Sequence, residues 1–77
     1  MNAESVQVAR YFGAGIAVLA LFGVGLGLGN LVAAMLNAVA KNPEAKDDIF
    51  RFGLIGLAFT EAIGLFALVV AFLILFV

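Results

Sequence analysis

No cysteine, histidine or tryptophan occurs among the 77 residues, and proline occurs once. Without cysteine there is no disulfide framework and no thiol nucleophile, and without histidine there is no imidazole to act as base or metal ligand near neutrality. Charge is equally scarce: four Lys or Arg against five Asp or Glu, 12% of the chain, with a net charge of -1. No basic run exists to track phosphates, so nucleic-acid binding is set aside. Most enzyme chemistries therefore have no residues to run on.

Apolar surface is what the sequence has in excess, at 66% hydrophobic residues. A water-soluble fold of this size has little capacity to bury a core, so lipid or neighbouring copies must cover that surface. The chain is expected to form one domain, 1–77, made of helix one at about 5–41, a polar loop at about 41–44 and helix two at about 44–77. From Tyr11 to Ala40, about 30 residues, there is no charge and no proline, long enough to span a bilayer with tilt. Ala38-Val39-Ala40 has the look of a signal-peptide cleavage site, but the run before it far exceeds the usual ~7 to 15 residues, so cleavage is not expected. Arg10 can snorkel to the interface, and Tyr11 and Phe12 fall where an aromatic belt would lie.

From Phe52 to Val77 the only ionisable side chain is Glu61. A helix over that stretch is ~39 Å long, against about 30 Å of hydrocarbon. Counted from Pro43, Glu61 lies ~27 Å from one end of helix two and ~24 Å from the other, near the membrane midplane. An acidic side chain there costs about 2.5 to 3.5 kcal/mol even on the most lenient scale, and such groups face a partner or a water path.

Glycines recur at every second position in Gly23-Val24-Gly25-Leu26-Gly27-Leu28-Gly29. On a helix, Gly23 and Gly27 share one face and Gly25 and Gly29 another nearly opposite, giving two small-xxx-small grooves. A strand is a poor alternative, because its edges cannot be satisfied in lipid. Two opposed grooves suggest a neighbour on each side, and if the neighbours are identical the heterologous contact repeats until it closes as a ring. The other possibility is that one groove meets the chain's own second helix and the second is incidental.

Lys41 suits the C-terminal end of helix one, and Asn42-Pro43-Glu44 is expected to act as N-cap, first helical residue and early acid of helix two. Asp47 and Asp48 continue that acidic start; their side chains diverge by about 100° on a helix, so they are not taken as a metal pair. Lys41, Lys46 and Arg51 at the loop end, against Arg10 at the termini, place the loop in the cytoplasm, or in the matrix of a mitochondrion. Helix two, with Phe50, Phe52, Phe59, Phe66, Phe72 and Phe76, is expected to be an outer, lipid-facing layer, and Gly53, Gly56 and Gly64 to leave room for helix one.

The neutral acid is the form of Glu61 that hydrocarbon tolerates, while the anion needs a counter-charge or water. That is the chemistry of a proton carrier; a carboxyl bonded to a backbone carbonyl or to a neighbour's Thr60 for structural reasons is the other option.

Taken together, the Gly23 to Gly29 run, the Lys41-Asn42-Pro43 loop and the stretch Ala58-Phe59-Thr60-Glu61-Ala62-Ile63-Gly64-Leu65-Phe66 resemble the rotor-ring proteolipid, or c-subunit, of the F-type ATP synthases over essentially the whole chain, in its alphaproteobacterial and mitochondrial forms. The resemblance implies an all-α membrane protein whose two-helix hairpins close into a homo-oligomeric ring with first helices inside. It implies that the ring turns against the stator's a-subunit, with an Arg of that protein opposite ionised Glu61, that Glu61 carries the ion, and that Lys41, Asn42 and Pro43 meet the central stalk. The chain would then be a non-catalytic rotor part with no cofactor. Lys41 stands where the family usually has Arg, keeping the charge without the bidentate fork. Sodium-type members are similar to one another in carrying oxygen-bearing side chains at the positions of Leu28, Ala62 and Phe66; all three are lacking here, and a hard cation needs several oxygen ligands. The expected ion is H⁺, with Glu61 donating to the backbone carbonyl of Phe59 or to a trapped water. A passive channel, a regulatory hairpin on a larger transporter and a vacuolar-type proteolipid are the alternatives, the last disfavoured by the single short hairpin.

Overall fold

The computed structural model describes residues 1–77 as two antiparallel helices joined by one tight turn. Helix α1 runs over Ala3–Lys41, a single 3-10 turn over Pro43–Ala45, and helix α2 over Lys46–Phe76. The molecule measures 63 × 16 × 9 Å, so it is one hairpin long and one helix thick. Of its 68 backbone hydrogen bonds, 64 lie within the helices, the condition a segment must meet to cross hydrocarbon. Both helices are long and apolar enough to do so.

Helix α1 starts two residues before the expected boundary because Asn2 caps it: the Asn2 side chain accepts a hydrogen bond from the Ser5 N–H at 2.8 Å. Such a cap satisfies one of the donors a helix start leaves unpaired. At the other end the expected N-cap role of Asn42 needs correcting. Its side chain makes no capping bond; instead its N–H donates to the Ala38 carbonyl at 2.9 Å, closing α1, and its own carbonyl accepts from Ala45 at 3.1 Å, opening the 3-10 turn. Pro43 therefore leads that turn, and α2 proper begins three residues later, at Lys46. Proline forces the preceding residue out of the helical region, and Asn42 sits accordingly at φ -143°, ψ 74°.

The two helices meet along a seam with alternating spacings of three and four residues. On α1 it comprises Ala14, Ala17, Leu21, Val24, Leu28, Leu31, Met35 and Ala38, and on α2 Ile49, Gly53, Gly56, Thr60, Gly64, Ala67, Ala71 and Ile74, all buried or half-buried. That period, near 3.5, keeps a seam straight between helices that wind about each other left-handedly. Small residues let the helices come close, and most of them belong to α2. A side chain at Gly53 would run into Met35, one at Gly56 would meet Leu31 Cδ2 at 3.0 Å, and one at Gly64 would meet Leu21 and Val24 at 3.2 and 3.3 Å. At the open end Arg10 Nη2 donates to the Val77 carbonyl at 3.3 Å.

Only four residues are buried, and the hairpin exposes 5801 Å². A compact globule of its 8.0 kDa would expose about 4,500 Å². Phe12, Phe22, Phe52, Phe59, Phe66 and Phe76 are all about 70% exposed or more. The fold is complete as a backbone and unfinished as a surface.

Candidate functional site

Thr60 fixes where Glu61 points. Its side chain lies in the seam, half-buried, with Oγ1 donating to the Gly56 carbonyl at 2.8 Å. A Cβ placed on Gly27 would come within 3.7 Å of its methyl group. One residue further along a helix is a rotation of about 100°, so Glu61 leaves the seam and stands exposed on the flank of the hairpin. It is level with the glycine run of α1, midway along the hairpin's length.

Glu61 takes no part in the side-chain hydrogen bonds or the ion pair of the chain. The expected acceptor, the Phe59 carbonyl, lies two residues back, about 200° around the helix. Glu61 makes no bond to it within the hairpin. Leu28 is half-buried in the seam, while Ala62 and Phe66 are exposed. None of the three brings an oxygen to it.

Of the glycines in the Gly23 to Gly29 run, the chain itself leaves all but Gly27 open. Gly23, Gly25 and Gly29 have nothing within 4 Å of the space a Cβ would take, and only Gly27 approaches α2, at Thr60. The two grooves thus flank the seam on opposite sides; α2 leaves Gly25 and Gly29 bare and touches the other groove only at Gly27, through Thr60. Lys41, Asn42 and Pro43 are exposed together at the closed end, some distance along the hairpin from Glu61. The nearby pair Arg51 and Asp48, at 3.8 Å and both about 70% exposed, is of the kind that contributes little.

Two polar residues were passed over in the sequence. Asn30 and Asn37 are the only polar side chains between Tyr11 and Lys41, both exposed, and neither makes a hydrogen bond. Attention to charge alone hid them, although an amide in a spanning helix is itself a signal.

A hairpin of two spanning helices, apolar on every side and carrying one carboxyl midway, defines the class: an integral membrane proteolipid. The sequence pattern of the family described as the ATP synthase C subunit matches residues 12–74. The chain belongs to that family. It is 55% identical to the ATP synthase c-subunit of Granulibacter bethesdensis, over 92% of this chain and 96% of that one. It is 53% identical to that of Gluconacetobacter diazotrophicus, over 94% and 97%. Mitochondrial ATP synthase subunit 9 of Arabidopsis thaliana is 46% identical over 96% of this chain and 87% of its own length.

Proposed function

We propose that the hairpin is the proton-carrying rotor subunit of a rotary F-type ATP synthase, with Glu61 protonated and deprotonated once per passage through the stator. The observation that carries this is the position of Glu61: one carboxyl, midway along an apolar helix and turned out of the seam to the flank where a partner can reach it. Identical hairpins close into a ring through the two glycine grooves, α1 inside and the Phe-rich α2 toward lipid. Protonated Glu61 donates to the Phe59 carbonyl of an adjacent copy or to a water, and can travel through hydrocarbon as a neutral acid. Facing an Arg of the a-subunit it ionises and exchanges its proton. Moving one charge through 100 mV supplies about 2.3 kcal/mol, so several crossings must be pooled for each ATP, which a ring of equal carboxyls does mechanically. The hairpin supplies no catalytic group of its own. Lys41, Asn42 and Pro43 meet the central stalk. Lys41, Lys46 and Arg51 hold the loop on the cytoplasmic side of a bacterial inner membrane, or the matrix side of a mitochondrial one. The ion is H⁺, since Leu28, Ala62 and Phe66 offer no oxygen ligand.

The test is carbodiimide modification of the detergent-solubilised protein, mapped by mass spectrometry across pH with and without excess Na⁺. Selective labelling of Glu61 that falls at high pH and ignores Na⁺ is the expected result. Protection by Na⁺ would overturn the choice of ion, and equal labelling of Glu61, Glu44 and Glu4 would overturn the carrier role.

A further inference from the structure

Asn30 and Asn37 lie seven residues apart on one face of α1, within about 20° of each other around the helix. Asn30 also falls within about 20° of Gly23 and about 60° of Gly27, but about 140° from Gly25 and 100° from Gly29. The amides therefore belong to one flank of α1, and bare backbone at Gly25 and Gly29 belongs to the other. In this run Gly23, Gly25 and Gly29 are free of α2, which reaches only Gly27, through Thr60. An amide in a spanning helix that finds no partner in its own chain, as here, is satisfied by another helix.

We infer that Asn30 of one copy hydrogen-bonds across the ring interface to the backbone of the next copy, where Gly25 and Gly29 leave the helix surface bare. The inference rests on the ring assembly proposed above and names the side chain that locks it. In a cyclic arrangement of parallel α1 helices the same residues lie at the same height, so Asn30 on one copy is within about 1.5 Å of the height of Gly29 on the next. Measured from the seam, Asn30 and Gly29 sit at nearly equal angles on opposite sides, about 130° each way. A rotation that turns one copy into its neighbour therefore brings the amide against the glycine. A residue with a Cβ at Gly29 would shield the backbone carbonyls of the preceding turn from the amide; glycine leaves them open as acceptors for the NH₂ group. The contact is heterologous, with donor and acceptor on different faces, so every copy gives one bond and receives one. A slip of one residue along either helix would carry the amide about 1.5 Å off its acceptor. The pair thus sets the axial register of neighbouring hairpins, and hence the common height of their Glu61 carboxyls.

The lack of cysteine makes the test direct. In the ring purified from membranes, the double variant Gly29→Cys/Asn30→Cys should oxidise to a ladder of covalent multimers. Adjacent residues on one helix point apart, so they cannot pair with each other. Gly27→Cys/Asn30→Cys, with both thiols on the same flank, should stay monomeric on denaturing gels. Equal ladders from both pairs, or disulfide dimers from Asn30→Cys alone, overturn the inference and place Asn30 toward the ring's central hole. Separately, Asn30→Leu should raise the rate at which the ring dissociates in detergent by about threefold to tenfold, the scale of one interhelical amide bond per interface, with Asn30→Gln recovering part of the loss. A ring as long-lived with Leu as with Asn overturns the bond. Carbodiimide labelling of Glu61 in the same preparations separates the two ideas: normal labelling with no ladder from Gly29→Cys/Asn30→Cys removes the amide contact and leaves the carrier role standing. If no multimer forms even in the unsubstituted protein, both fall.

Discussion

Glu61 owes its exposure to its neighbour. Thr60 is anchored in the seam through its methyl and satisfies its hydroxyl on the Gly56 carbonyl, leaving the next residue no choice but the flank. Glu61→Gln keeps a neutral, hydrogen-bonding side chain of nearly the same size but cannot release a proton. Proton transport by the assembled complex should fall to background while the amount of inserted hairpin is unchanged, as read by proton flux and immunoblot of the same vesicles. Unchanged flux would sink the carrier role. At the far end, Asn2→Ala removes the cap on Ser5 and should cost about 1 kcal/mol locally. Amide exchange should quicken over the first turn of α1 and nowhere near Glu61.

Between the helices, steric fit decides the outcome. Gly64 faces the branched side chains of Leu21 and Val24, which have little room to turn, so Gly64→Leu should destabilise the pairing by about 1 to 3 kcal/mol through overpacking. Gly53 faces the flexible end of Met35, and Gly53→Ala should be tolerated far better, because an unbranched thioether can swing aside. Thermal loss of energy transfer between dyes at the two ends of the open hairpin would compare them; equal midpoints would contradict the seam as described. The two helices, the short turn and the placement of Glu61 were all legible from run length and spacing, because a charge-free stretch of spanning length admits few conformations. The Asn42-Pro43 turn was harder, since the same residues suit a helix start and a separate 3-10 turn, and the backbone bond from Ala45 decides between them. Which glycines belong to the hairpin and which to its neighbours was open too. Spacing shows that Gly23, Gly25, Gly27 and Gly29 line two grooves, but only the position of α2 shows that Gly23, Gly25 and Gly29 remain free while Gly27 meets Thr60. Asn30 and Asn37 were visible and overlooked.

As a whole the hairpin can leave its apolar surface to lipid, so assembly rests on close packing at the glycine grooves and on polar contacts between helices. Filling either groove should be as damaging as filling the other: Gly23→Val/Gly27→Val and Gly25→Val/Gly29→Val should each reduce the ring fraction seen by native mass spectrometry about tenfold or more, which is ~1.4 kcal/mol. Loss from one pair only would indicate a single partner and favour the regulatory hairpin. The connection between the helices carries a mechanical consequence. A single 3-10 turn, tied to Asn42 by the Ala45 N–H and to Lys46 through the Pro43 carbonyl, joins two helices whose seam continues to within a few residues of it. There is no slack in such a link. A sideways push delivered at Lys41, Asn42 and Pro43 is carried along a stiff double rod, so that force applied at one face of the membrane is passed on to the depth of the carboxyl.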